Sequence, residues 1–455
     1  RDYERGQKER IEARIEEVRA IMASGEPEDI RAGVERALDM EDRFVFYEML
    51  EGEMFFDEEV DRECLLNFGG LRELKWEATY YYDEHRFELV RFLIELPDEI
   101  LPPAILEHVR VLELCGESTL EDLGLLGGLP GLEQLRLLKC SQLEDLADVG
   151  AIDGLEVLEI DRCGEIDLKG LEALPMLRKL GIEDCQIPDY KPVSQLSTLE
   201  ALDLVKNAGA TYDLKILACS SELTRLWLEW RDGQRVEHIE QLDQCGELRE
   251  LKLKGGMSRG ELSKLDEAIC GLEQLRRLSL RPRGDATLEV DFITPETLCS
   301  LRNLRKLCIY RCPLTSLTGL TELRDLKYLH LDFHHEDGRW ERRASLLDLD
   351  GIGELRALEK MEISHSGLRD VSALEGHPSL ERFSVTESSL DSLRGLSGLE
   401  NLASINIWGD DSLRSLEGLA DLQSLDKIEL KEAEALESLH GIEELTSLSS
   451  LKLRS

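Results

Sequence analysis

The side chains able to do chemistry in this sequence fall into three sets. The first is His330, Asp332 and His334, with His335 adjacent. Residues at i, i+2 and i+4 of a strand share a face, so these could gather a divalent metal. Asp and His are equally ordinary solvent-facing residues on a strand, and no metal is expected. The second set is Cys140, Cys163, Cys185 and Cys312. Thiols this far apart lack the C-x-x-C spacing of a zinc site and are expected as small buried hydrophobes. The third is a concentration of basic and aromatic residues: Arg225, Arg249, Lys252, Lys254, Arg277, Arg281 and Lys306, with Trp227, Trp230, Tyr310, Tyr328 and Phe333. Trp, Tyr and Arg dominate the hot spots of protein interfaces. There is no phosphate loop, G-x-S-x-G, H-E-x-x-H or kinase motif set. No catalytic residue and no cofactor is expected, and the chain reads as a non-enzyme.

The elements that position these residues come from a nine-residue frame: Leu, two variable, Leu, one variable, Leu or Ile, two variable, then a small or polar residue. It appears as LEQLRLLKC from Leu132, LRELKLKGG from Leu248, LRKLCIYRC from Leu304, LKYLHLDFH from Leu326 and LERFSVTES from Leu380. Fourteen clear copies run from Leu132 to Leu448, at intervals of 22 to 32 residues. VRVLELCGE from Val109 also fits, and LRELKWEAT from Leu71 is a divergent first copy. The central L-x-L is a short strand whose alternate side chains face opposite ways: the apolar positions point into a core and the intervening ones onto an open sheet.

The frame resembles the leucine-rich repeat signature, L-x-x-L-x-L-x-x-N/C-x-L at 20–29 residues. Most copies are similar to the 22-residue class of internalins and of a protein-phosphatase regulatory subunit, and the longer ones to ribonuclease-inhibitor repeats. The resemblance implies an α/β solenoid: a curved parallel sheet on the concave side, with 3₁₀ turns and short helices on the convex side, over about 15–16 repeats in residues 71–455. The ninth residue is usually Asn in that family, satisfying backbone groups at a turn; here the four cysteines and Asn207 hold it. In short repeats apolar residues recur every third position, as in Leu314, Leu317, Leu320 and Leu323, a period that suits 3₁₀ turns. ELSKLDEAICGLEQL and TPETLCSLRNL read as true convex helices. Residues 1–70 lack the frame and carry helical spacing, either as a cap over the first repeat, which a solenoid needs, or as part of another helical module.

Charge separates partner classes. There are 95 acidic and 55 basic residues, a formal net charge of −40. That opposes nucleic acid and anionic membranes as main partners, and no apolar run is long enough to span a bilayer. Residues 223–343 are neutral, with 21 basic and 21 acidic side chains; the other 334 residues hold 34 and 74. Within the neutral block the outward strand positions are basic and aromatic, and Trp340 follows in an insertion rich in arginine. The alternative is a set of isolated surface residues stabilised by acidic neighbours such as Glu229 and Glu250. The N-terminus begins with Arg rather than Met and has no signal-peptide core, so the expectation is a soluble, cytoplasmic chain with reduced thiols. The expected function is a scaffold that binds a protein partner through its concave face. An inhibitor or immunity protein for a cationic enzyme, or a sensor arm of a larger assembly, are the alternatives.

Overall fold

The structure, a computed structural model, describes residues 109–454 apart from 117–119, 219, 284–291, 335–345 and 347. The helical segment expected over 1–70, its boundary with the repeats, the divergent copy at Leu71, and His335 and Trp340 all lie outside the described residues. The chain divides between Thr198 and Leu199 into two units.

In the first unit four frame copies form parallel strands in register: β1 (Val111–Cys115), β2 (Gln134–Leu138), β3 (Val157–Asp161) and β4 (Lys179–Glu183), with Leu112, Leu135, Leu158 and Leu180 side by side. A short strand, β5 (Gln186–Ile187), follows. In β2, β3 and β4 the fourth and sixth frame positions are buried and the third, fifth and seventh face out, so burial alternates along these strands. The cysteine ladder is present as expected. The Cys140 N–H donates to Cys163 Sγ at 3.3 Å, and the Cys163 N–H to Cys185 Sγ at 3.4 Å. Each Sγ in turn lies within 4.0 Å of carbonyls of its own and the preceding strand. The neighbouring Cys140 and burial push the Cys163 thiol up to about 12, so this thiol is a neutral spacer.

The second unit repeats the plan over eleven parallel strands: β6 (Ala201–Gly209), β8 (Arg225–Trp230), β10 (Glu250–Gly256), β11 (Arg277–Arg283), β12 (Lys306–Tyr310), β13 (Tyr328–Asp332), β14 (Lys360–Ser364), β15 (Arg382–Thr386), β16 (Ser404–Trp408), β17 (Lys427–Lys431) and β18 (Ser450–Arg454). A separate pair, β7 (Tyr212–Asp213) and β9 (Val236–Glu237), lies off this sheet. A fully buried row runs through the fourth position from Leu202 to Ile428. At the eighth frame position of most repeats, though not at Trp230 or Phe333, the backbone turns left-handed, at Arg311, His365, Glu387 and Glu432 among others. The corner is made mostly by polar, non-glycine residues.

The return segments differ with repeat length, as the sequence predicts. α1 (Arg259–Cys270) buries Leu262, Leu265, Ala268 and Ile269, one helical stripe. Ser258 caps it: the Glu261 N–H donates to Ser258 Oγ at 3.2 Å, while the Glu261 carboxylate accepts the Ile239 N–H of the preceding repeat at 3.0 Å. α2 (Pro295–Ser300) starts with Pro behind Thr294, whose Oγ1 accepts from the Thr297 N–H. Short repeats return through 3₁₀ turns such as Thr318–Leu320 and Ser372–Leu374. Among the described residues no helix is long and apolar enough to cross a membrane.

Candidate functional site

The outward positions of β8, β10, β11, β12, β13 and β14 form three rows, because parallel in-register pairing puts equal frame positions side by side about 4.8 Å apart. The third position carries Arg225, Glu250, Arg277, Lys306, Tyr328 and Lys360. The fifth carries Trp227, Lys252, Ser279, Cys308, His330 and Glu362. The seventh carries Glu229, Lys254, Arg281, Tyr310, Asp332 and Ser364. Arg249, Arg276, Arg305 and Lys327 stand just before their strands. Their backbones hydrogen-bond in series, the Arg276 N–H to Arg249 O at 2.8 Å, then Arg305 to Arg276, then Lys327 to Arg305.

The carboxylates of this face are engaged. Asp203 holds Arg225 at 2.8 Å, Glu229 holds Lys254 at 2.6 Å, Glu250 holds Arg277 at 3.3 Å and Glu359 holds Lys327 at 2.6 Å. Three other cations lie over aromatic rings: Lys252 Nζ is 3.5 Å from the Trp227 centroid, the Arg281 guanidinium 4.6 Å from Tyr310, and Lys306 Nζ 4.8 Å from Tyr328. Each such pair is worth roughly 0.5–1 kcal/mol when exposed and more when desolvated. The arrangement fixes flexible cations over flat rings without neutralising them.

At the far end of the strip, Glu362 is a hub. Its Oε2 accepts from Tyr328 Oη at 2.6 Å and from His330 Nδ1 at 3.1 Å, and its Oε1 pairs with Lys360 at 2.7 Å. The His330 hydrogen bond, with Lys360 and Tyr328, outweighs burial and holds the Glu362 carboxyl down at about 2. Burial and the same carboxylate push the Tyr328 phenol up, so it stays a donor. The other ring nitrogen, His330 Nε2, is buried and has no hydrogen-bond partner among the described residues. Tyr310 packs on this imidazole, ring centroids 4.9 Å apart. Cys308, beside His330 across the strand pair, is pushed up to about 11 by burial and is a neutral thiol.

The structure brings together most of the residues singled out from sequence and removes two. Arg249, Arg277, Arg281 and Lys306 are exposed, and Arg225, Trp227, Lys252, Lys254, Tyr310 and Tyr328 are half-buried on the open face. Trp230 and Phe333 are instead 1% and 4% exposed. Both hold the eighth frame position, which continues the inward side of the strand alternation after the buried fourth and sixth. Trp230 packs beside Tyr212 with centroids 6.1 Å apart and donates its Nε1–H to Gly256 O at 2.6 Å. His330 and Asp332 engage different partners on the next repeat, Glu362 and His365. Among the described residues no cluster of three His, Cys, Asp or Glu side chains is placed to hold a metal. Sequence reasoning missed Glu362, His365 and Trp408. The last is 42% exposed at the seventh position of β16, with Lys431 Nζ 5.8 Å from its ring. The signal for Trp408 was in the frame, since INIWGD places it in the outward row.

No protein-family model matches the chain, and no curated protein matches it. Among solved structures it is similar to a leucine-rich repeat protein of Leptospira interrogans, with a TM-score of 0.57 and 18% identity, over 83% of this chain and 94% of that one. An internalin of Listeria monocytogenes gives a TM-score of 0.48 at 18% identity, over 79% of this chain and 92% of that one. A plant peptide hormone receptor gives 0.42 at 15% identity, over 78% and 72%. The repeating frame, the in-register parallel strands and the Leptospira likeness agree: the chain has the leucine-rich repeat fold.

Proposed function

We propose that the chain is a non-enzymatic scaffold that binds a partner protein through the open strand face of β8 to β14, the face expected to be concave in this fold. One observation carries the reading. Trp227, Tyr310 and Tyr328 stand on the solvent side of a sheet whose core is already filled by leucine, and each holds a cation over its ring. Folding needs no aromatic there, whereas an interface gains from rigid rings and oriented cations. The plant receptor in the comparison was solved in complex with its peptide hormone, and for this chain a protein partner remains part of the proposal. The alternative of an inhibitor of a cationic enzyme fits this face poorly, because its outward surplus is itself cationic.

The test is affinity capture followed by mass spectrometry, using wild type and the double variant Arg281→Glu/Lys306→Glu. Arg281 and Lys306 are exposed and bury no core surface, so the variant should lose only its two cation–ring pairs, about 1–2 kcal/mol in total. Loss of the wild-type partner from a variant that still unfolds cooperatively, at a melting temperature only modestly lowered, is the expected result. Equal recovery of that partner by both proteins would count against the face.

A further inference from the structure

The strand face carries more positive charge than its own carboxylates neutralise, and the surplus defines the partner chemistry; this inference rests on the binding reading above. Once Asp203, Glu229, Glu250 and Glu359 have taken Arg225, Lys254, Arg277 and Lys327, six cations on the repeats of β8 to β12 are left over. Arg249, Arg276, Arg305, Lys252, Arg281 and Lys306 reach no carboxylate of a described residue within ion-pair distance. Three are held over rings. The other three, all exposed, form a row whose backbones are hydrogen-bonded in sequence.

Spacing then selects the ligand's form. The strands β8, β10, β11 and β12 span three gaps of about 4.8 Å, roughly 14 Å, which an extended peptide at about 3.3 Å per residue crosses with about four residues. Alternate side chains of such a peptide fall on one side about 6.7 Å apart, within the sweep of arginine side chains on neighbouring strands. Arginine binds carboxylates through a planar two-pronged fork. We infer that this face takes an acidic segment of the partner protein, lying extended across β8 to β12. Its carboxylates engage Arg249, Arg276 and Arg305 at one edge and the ring-held Lys252, Arg281 and Lys306 inside. A nucleic-acid strand matches the charge sign but continues beyond the strip, where the rest of the chain has 74 acidic residues against 34 basic.

The test uses fluorescein-labelled hexaglutamate, with hexalysine and a thymidine hexanucleotide as comparison probes, read by anisotropy at low salt. Wild type is expected to bind hexaglutamate more tightly than either comparison probe, with affinity falling as salt is added. The variant Arg249→Ala/Arg276→Ala/Arg305→Ala should bind it at least about tenfold more weakly. The control Arg302→Ala/Arg324→Ala/Arg356→Ala changes net charge equally at exposed positions in the return segments and should bind as wild type does. Preference for hexalysine or for the oligonucleotide would overturn the inference, as would equal weakening by both triple variants. If partner capture is lost in Arg281→Glu/Lys306→Glu while hexaglutamate fails to bind wild type, the acidic-segment inference falls and the binding face stands. If capture is unaffected by that variant, the face itself falls.

Discussion

Replacing Gly255 with alanine is expected to destabilise the second unit by about 2–5 kcal/mol, while the same change one residue later is nearly silent. A Cβ on Gly255 would lie 2.5 Å from three atoms of the Trp230 indole, and the backbone there has φ +148°, which side chains rarely adopt. The ring cannot yield, because Trp230 is wedged beside Tyr212 and anchored by its hydrogen bond to Gly256 O. A Cβ on Gly256 would meet nothing within 4 Å, so Gly256→Ala should change stability by no more than about 0.5–1 kcal/mol. Thermal denaturation followed by tryptophan emission checks both: Gly255→Ala should lower the midpoint and shift emission to the red. Matching midpoints for the two variants would show that Trp230 does not depend on a bare backbone at position 255.

The second large effect is at Asp410, which occupies the ninth frame position and is fully buried. Oδ2 accepts the Leu390 N–H of the preceding repeat at 2.8 Å, and Oδ1 accepts those of Ser412 and Leu413 at 3.0 and 2.9 Å. Burial pushes its carboxyl up, against the pull of these three donors. Asp410→Ala leaves three backbone donors without their acceptor, at about 1–3 kcal/mol for each that stays dry, so a loss of at least about 3 kcal/mol is expected. Asp410→Asn keeps the shape but turns an amide NH₂ toward one of the donors, and should cost about 1–3 kcal/mol. Ser388→Ala, at the same frame position, loses one hydroxyl pair, Ser366 Oγ to Ser388 Oγ at 2.9 Å, and should cost about 1 kcal/mol. Chemical denaturation of the three variants checks the order. An Asp410→Ala protein as stable as Ser388→Ala would show that water or backbone rearrangement replaces the carboxylate.

These cases mark how far the sequence was legible. The frame fixed which residues face in and which face out because a strand has period two and the repeat has constant phase. The burial of Leu307 and Ile309 beside exposed Lys306 follows from the frame alone. The two return helices were legible in ELSKLDEAICGLEQL and TPETLCSLRNL. Trp230 and Phe333 were misplaced by counting them with the outward rows: the eighth position is even, so the alternation itself continues inward there, and neither residue takes the left-handed turn found at this position in other repeats. Gly255 on the next strand makes room for the Trp230 indole. Glu362 was invisible because its role depends on register. It meets His330 and Tyr328 only when strands more than thirty residues apart align. Asp410 stands where the family carries Asn, and only the positions of its three donors show why a carboxylate serves.

The central claim is that the partner docks on the open strand face, and photo-crosslinking tests it most directly. Ser279 sits in the fifth-position row, between Lys252 and Cys308, and a photoreactive amino acid placed there points into the proposed interface. The same group at Arg302, exposed in the return segment, serves as the comparison. With the captured partner added and irradiated, a covalent adduct from position 279 and none from position 302 is the expected result. An adduct from position 302 with none from position 279 would contradict the claim and place the interface on the turn side of the repeats.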